Sequence, residues 1–320
     1  MQAVVVDPQS PDRVAFAAVE PPTLRATEAL IRVKAISLNA GEVMYGLRRG
    51  EAGTRLGSDL AGVVEQPAQE GPGPARGSRV VGLVPSGAWA EYVAVPVNAL
   101  AELEPSVTFA QAAALPVAGL TALAAIDQGG SVIARPVLVT GASGGVGLMA
   151  CQLASLAGAS VAGQVRQSRS AALVHQAGAE HVVVAEDVAP AAQLGPYQLI
   201  VEQLGGEALA QAMTQLVPGG TCVAIGGLAG HQVPIDLALM RGQGGGGVGD
   251  ACLRFFNLFR EFQREPAATG LQRLVRLAGH GKLVPHLGAE ADWREIGQVA
   301  RALIGRQFPG KAVLHISDQK

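Results

Sequence analysis

Cysteine is scarce in this chain, and the three it has are scattered. Cys151, Cys222 and Cys252 lie far apart, and no C-x-x-C pair occurs. That excludes a disulfide framework and a four-cysteine zinc lobe, and leaves three small residues in apolar surroundings, expected to be buried. Histidine is absent before residue 175, so the first half of the chain offers a metal no imidazole. Charged residues make up only 16%, the net charge is −2, and no basic cluster occurs. Nucleic acid is therefore not an expected partner. No apolar run reaches the length of a membrane span, so no membrane partner is expected either. The N-terminus, MQAVVVDPQS, has no basic stretch followed by an apolar one, which points to a cytoplasmic protein.

What is present is ample apolar material: 49% of 320 residues are hydrophobic, enough for two domains. The first 110 residues read as short strands: 3–6, 29–38, 60–66, 78–84 and 88–96. Pro- and Gly-rich turns separate them, notably PAQEGPGPARG at 67–77. The alternation in EALIRVKAIS predicts one wet face, and the spacing suggests a partly closed antiparallel barrel. Helical periodicity takes over at 107–126, with Pro116 dividing two short helices. From 135 to 227 strands and helices alternate, the pattern of a parallel sheet with crossover helices.

The centre of that pattern is RPVLVTGASGGVG at 135–147. Val137 to Thr140 read as a buried strand, and VGLMACQLASLAG reads as a helix. Gly141, Gly144 and Gly147 fall between them at G-x-x-G-x-x-G spacing. A strand that turns tightly into a helix aims free N–H groups and the positive end of the helix dipole at the loop. That arrangement suits a pyrophosphate, so dinucleotide binding is expected, with Ser143, Gly145 and Val146 of the same turn taking part. A plain strand–turn–helix connection is the blander alternative.

The second strand of such a sheet tells the two nicotinamide cofactors apart. An acid at its end holds the ribose 2′-hydroxyl of NAD. Here the stretch is SVAGQVRQSRS, and no Asp or Glu occurs from Gly141 to Ala179. Arg166 and Arg169 flank Ser168 instead, and a guanidinium suits a 2′-phosphate. NADPH is the expected cofactor. Further on, RGQGGGGVGD at 241–250 reads as a mobile loop, either a solvent linker or a flexible edge of the active-site cleft. Helices are expected over 252–265, 270–281 and 292–305, then a strand over 310–316. Phe255, Phe256, Phe259 and Phe262 sit at helical spacing and read as core or as a subunit contact.

Together these segments resemble the medium-chain dehydrogenase/reductase superfamily, and within it the zinc-free quinone oxidoreductase and enoyl reductase branch. The matching stretches are SLNAGEVMYGLRRG, LGSDLAGVV, GSRVVGL, GAWAEYVAVP, AALPVAGLTAL, VLVTGASGGVG, VPGGTCVAIGG and GKAVLHI, in family order across nearly the whole chain. The resemblance implies an α/β protein with a Rossmann-type parallel-sheet domain inserted in a GroES-like β-barrel domain. The expected boundaries are 1–116, 117–265 and a return at 266–320. It also implies a homodimer or tetramer.

Zinc-dependent members place a Cys near the start of the first stretch and a His-Glu pair in the second. Here those regions read Asn39-Ala40-Gly41-Glu42 and Gly57-Ser58-Asp59, so no metal is expected. Without a Lewis acid, alkoxide chemistry is disfavoured, and hydride delivery to a quinone or conjugated carbonyl is expected. By resemblance, Asn39 lies near nicotinamide and substrate and can donate to the acceptor oxygen, or it is a turn residue. Tyr45 can donate a proton or wall the pocket. Enoyl reductases often carry a tyrosine slightly later, where this chain has Arg48-Arg49-Gly50-Glu51. Glu42 reads as structural and Asp59 as a hydrogen-bonding support. Thr121, Gly226, Gly227 and Lys311 match family residues that face the cofactor, although Lys311 also reads as a surface lysine. The leading expectation is an NADPH-dependent reductase of quinones or similar conjugated carbonyls. An enoyl (thio)ester or enone reductase and a catalytically weak NADPH-binding protein are the alternatives.

Overall fold

The computed structural model describes residues 1–242 and 248–317. The backbone divides into two compact units, Met1–Leu120 with the chain from Phe262 onward, and Thr121–Glu261.

The first unit opens with β1 (Gln2–Val6) and β2 (Val14–Ala18), an antiparallel pair. Next come β3 (Glu28–Leu38), β4 (Asp59–Gln66), β5 (Arg79–Leu83), β6 (Tyr92–Pro96) and β7 (Leu100–Glu102). Helix α1 (Phe109–Ala113) carries a capping box from Thr108 and Gln111, and α2 (Pro116–Gln128) starts on its proline. β3 alternates between half-buried and buried residues as its sequence predicts, but its last residues, Ala35 to Leu38, are all buried. Ser37 among them is fully buried and polar, which marks the strand's end as special.

The second unit holds β8 (Pro136–Val139), α3 (Gly145–Leu156), β9 (Ser160–Val165), α4 (Ala171–Gln176) and β10 (His181–Val184). It continues with β11 (Tyr197–Glu202), α5 (Gly206–Met213), β12 (Leu216–Ala224), α6 (Leu237–Met240), β13 (Cys252–Phe255) and α7 (Leu258–Glu261). All its strand pairs are parallel, in the order β10-β9-β8-β11-β12-β13. The core gathers Leu138, Tyr197, Ile200, Leu209, Met213 and Cys222 from the sheet and α5. Burial pushes the Cys151 thiol up to about 12 and the Cys222 thiol well above its ordinary value. Both are buried as expected, while Cys252 is only half-buried.

One expectation fails here. Residues 252–265 do not form a helix. Cys252–Phe255 pairs with Thr221–Ala224 as the sheet's edge strand, and only a single helical turn follows. A short apolar run fits either period, and the open edge of β12 supplies the backbone partners that decide between them. The aromatic stripe is dispersed as a result: Phe255 is 77% exposed rather than core. Of the glycine-rich stretch, residues 243–247 lie outside the described residues.

The chain then returns to the first unit with α8 (Ala267–Gly279), β14 (Leu287–Asp292), α9 (Ile296–Ile304) and β15 (Lys311–His315). The larger sheet runs β14-β15-β3-β4-β5-β7, with β6 also on β3. β14 was not foreseen in the sequence. Its neighbour β15 matters more, because β3 lies between β15 and β4 and is antiparallel to both. Among the described residues no helix is long and apolar enough to cross a membrane.

Candidate functional site

The barrel unit builds a buried polar cluster at the end of β3. Register dictates its members: Ser37 lies opposite Asp59, the first residue of β4, and Leu38 lies opposite Ala312, the second residue of β15. The starts of two neighbouring strands therefore meet the end of the central one. Asp59 is fully buried and the Lys311 side chain is 4% exposed, with Nζ and Oδ2 3.1 Å apart. Asp59 Oδ2 also accepts from Ser37 Oγ at 2.6 Å and Asn39 Nδ2 at 2.9 Å, and Oδ1 accepts from the Val117 amide at 2.8 Å. That amide belongs to the first turn of α2, where a carboxylate is favoured. Asp59 is the hydrogen-bonding support its position suggested.

Lys311 is no surface lysine. Besides Asp59, its ammonium donates to Leu38 O at 3.1 Å and Asn39 Oδ1 at 2.6 Å. Three donors meet three acceptors inside the barrel. All three N–H groups are thus engaged within the protein, and the side chain is buried rather than on the surface. Asn39 is equally committed. Its Nδ2 donates to Glu42 Oε2 at 3.1 Å and to Asp59, and its backbone amide donates to Glu42 Oε2 at 3.0 Å. Both of its amide hydrogens are engaged by carboxylates.

Glu42 sits on a short π-helical turn, Glu42–Leu47, that leaves the end of β3. Burial and then repulsion from Asp59 push its carboxyl up to about 7, while Lys311 pulls it down. The Ser58 side chain and the Asn39 amide pull it down as well. Glu42 is therefore more than a structural residue: it is a titrating member of the cluster. Tyr45, on the same turn, is 37% exposed, with the Arg49 guanidinium 5.4 Å from its ring centre. Among the described residues no group of three or more His, Cys, Asp or Glu side chains is placed to hold a metal ion.

The sheet unit builds a second site where β8 runs into α3. Gly141 has φ +58°, a conformation open to glycine at little cost. Helix α3 starts at Gly145 behind an N-cap glycine, Gly144, with no side chain capping it. Its first amides therefore face outward without an internal acceptor, as an anion site requires. A Cβ on Gly144 would approach only Gly141 O, at 3.4 Å, so the space before the helix is an open cradle. Ser143, Gly145 and Val146 line this turn half-buried, while Gly147 is buried against the loop.

Two glutamines that the sequence reading missed shape the turn. Gln164, fully buried on β9, accepts from the Gly141 amide at 3.1 Å and donates to Ala185 O at 2.7 Å. Gln203 Nε2 donates to Thr140 O and, at 3.5 Å, to Gly141 O, and an added Cβ on Gly226 would collide with its backbone carbonyl. Gly226 is thereby packed beside the glycine turn, with Gly227 against the His231 ring. Glu202 accepts from Thr140 Oγ1 and the amides of Leu204 and Gly205. Burial raises it above the usual carboxylate range. A polar residue in a predicted buried strand was the one available signal for all three.

β9 ends in Val165, and Arg166, Ser168 and Arg169 follow, all exposed. Arg169 Nε donates to Gln167 Oε1 at 2.8 Å. Thr121 is buried in α2, 7% exposed.

Family models match both units: an alcohol dehydrogenase GroES-like domain at residues 25–105 and a zinc-binding dehydrogenase domain at 145–243. Human quinone oxidoreductase is 28% identical over 302 residues, covering 90% of this chain and 88% of its own. An acrylyl-CoA reductase of Ruegeria pomeroyi is 27% identical over 252 residues, covering 73% and 76%. The solved structure of Escherichia coli quinone oxidoreductase complexed with NADPH superposes with a TM-score of 0.86 at 21% identity, over 99% of this chain and 100% of that one. That last likeness speaks to the fold.

Proposed function

Because the chain belongs to the medium-chain dehydrogenase/reductase superfamily, in its quinone oxidoreductase branch, we propose that it is an NADPH-dependent reductase of quinones or similar conjugated carbonyls. When bound, NADPH supplies a hydride equivalent. The residues present fit it: the turn of Gly141, Ser143, Gly144, Gly145, Val146 and Gly147 offers amides to the pyrophosphate. Arg166, Ser168 and Arg169 offer the 2′-phosphate two guanidinium groups and a hydroxyl, with no carboxylate to repel it. Gly226, Gly227 and Thr121 are proposed for the nicotinamide half. Tyr45 is the proposed donor or wall on the acceptor side.

The observation that carries the reading of the acceptor is the chemistry of the barrel cluster. Its groups are two carboxylates, a hydroxyl, a carboxamide and one ammonium, and among the described residues it has neither the thiolate nor the imidazole that a catalytic zinc prefers. Such a cluster suits an acceptor that spreads arriving charge onto its own oxygen. The acrylyl-CoA reductase relative favours a second reading, reduction of an enoyl thioester or enone.

A screen of NADPH oxidation over quinones, enones and enoyl thioesters tests both. Turnover yielding hydroquinone supports the first reading, and a saturated carbonyl the second. Tight NADPH binding without turnover across the panel overturns both and leaves a nucleotide-binding protein. In the same assay Arg166→Ala is expected to narrow the preference for NADPH over NADH by about tenfold, the worth of one charge-assisted contact. An unchanged ratio removes the phosphate assignment.

The assembly we propose is a homodimer joined along β13. That strand is the open edge of its sheet, and its last residue, Phe255, is 77% exposed. Phe255→Glu is expected to give monomers in sedimentation equilibrium; a dimer unaffected by it would place the contact elsewhere.

A further inference from the structure

The cluster at the end of β3 is a costly way to hold strands together. Replacing a buried ion pair by well-packed apolar groups is often neutral or stabilising. This chain instead keeps an ammonium, two carboxylates and a carboxamide together at the end of β3. Groups retained at such cost gather where a reaction needs them.

The charges also permit one orientation of Asn39. Its oxygen meets the ammonium, and its amide hydrogens meet Glu42 and Asp59. Turned over, the NH2 would face a cation and the oxygen two carboxylates. Asn39 as a residue is only half-buried, unlike Ser37, Asp59 and Lys311 around it. What it has left to offer a ligand is the second lone pair of Oδ1, an acceptor and not a donor.

We propose that Lys311 is a positioning residue for the reduction, the resident cation of the barrel cluster, which locks Asn39 at the end of β3 so that it presents an acceptor to a donor group of the bound ligand. The proposal rests on the reductase reading above. Glu42 reports on it, since it faces Asp59 from β4 and Lys311 from β15, and the lysine holds its carboxyl lower than burial and Asp59 alone would leave it.

The test compares wild type, Lys311→Met and Asp59→Asn/Lys311→Met, using NADPH and the best acceptor of the screen. Lys311→Met is expected to lower kcat about 10–100-fold, as loss of an orienting partner does elsewhere. KM for NADPH should change less than kcat, since the lysine acts only through Asn39 and itself gives the nucleotide no N–H. The inflection of kcat from Glu42 should move to higher pH, because the cation that lowers it is gone. The neutral pair in the double variant is expected to restore thermal stability but not kcat. Where Lys311→Met alone does not fold, the double variant carries the comparison.

A lysine that only holds the fold gives the opposite result: kcat returns together with stability. That outcome overturns the proposal, as does Lys311→Met with wild-type kcat and pH profile. A wild-type protein with no turnover overturns the reductase reading and this inference together, whereas turnover unaffected by the variants overturns this inference alone.

Discussion

Asp59→Ala is expected to destabilise the barrel unit by about 3–5 kcal/mol, the cost of stranding one partner of a buried ion pair. The Lys311 ammonium, 4% exposed, would keep only Leu38 O and Asn39 Oδ1 as acceptors. Ser37 Oγ and the Val117 amide would lose the carboxylate that accepts from them, and each unmet donor adds to the loss. Asp59→Asn, which keeps the shape and an acceptor, is expected to lose less. Hydrogen exchange at the amides of β3 and β4 reads the barrel unit by itself.

The loss should also depend on pH, and Glu42 sets the sign. Its folded value of about 7 lies above its ordinary 4.5. A carboxyl raised on folding costs stability progressively as pH climbs from about 4.5 to about 7. Without Asp59 the main repulsion is gone, so Glu42 ionises more readily and becomes the counter-ion of Lys311. The deficit of Asp59→Ala relative to wild type should therefore be larger near pH 5 than near pH 8. Equal deficits at both would mean that Glu42 is not coupled to the pair.

How much of this was legible in the sequence depends on the distance over which each residue acts. The strand–glycine–helix turn at 135–147 could be read because all its determinants are neighbours. The same holds for the alternation of β3 and for Pro116 at the start of α2. Lys311 could not be placed, since its partners Asn39 and Asp59 are 272 and 252 residues away in the chain. A lysine just before a strand looks the same whether it meets water or a buried carboxylate. The orientation of Asn39 was hidden for a related reason: a carboxamide donates or accepts according to its neighbours, and of Glu42, Asp59 and Lys311 the last two come near it only in the fold. Gln164 and Gln203 passed unnoticed because their bonds cross from one strand end to another. The edge strand β13 was misread as helix because periodicity registers side chains, whereas the open backbone edge of β12 decided the matter.

Gly147→Ala carries the largest effect expected on nucleotide binding, and Gly144→Ala makes it interpretable. A Cβ at Gly147 would lie 2.6 Å from Gly141 O and 2.7 Å from Ala142 Cα, both backbone atoms. Neither can turn aside as a side chain would, so the first turn of α3 must move off the glycine loop. Overpacking of this kind costs about 1–3 kcal/mol in stability. The displaced amides would also no longer converge on one anion, and NADPH affinity should fall about 100-fold, or some 2.7 kcal/mol. Gly144 differs, because its φ of −78° suits any residue and its added Cβ would touch only Gly141 O, at 3.4 Å. The fold should accept Gly144→Ala with unchanged thermal unfolding. Its methyl group would nonetheless stand in the open cradle before the helix, where the pyrophosphate is placed, and NADPH binding should still drop. Nucleotide titration by fluorescence, set beside unfolding without nucleotide, separates the two variants. Gly144→Ala binding NADPH like wild type would move the pyrophosphate away from the start of α3.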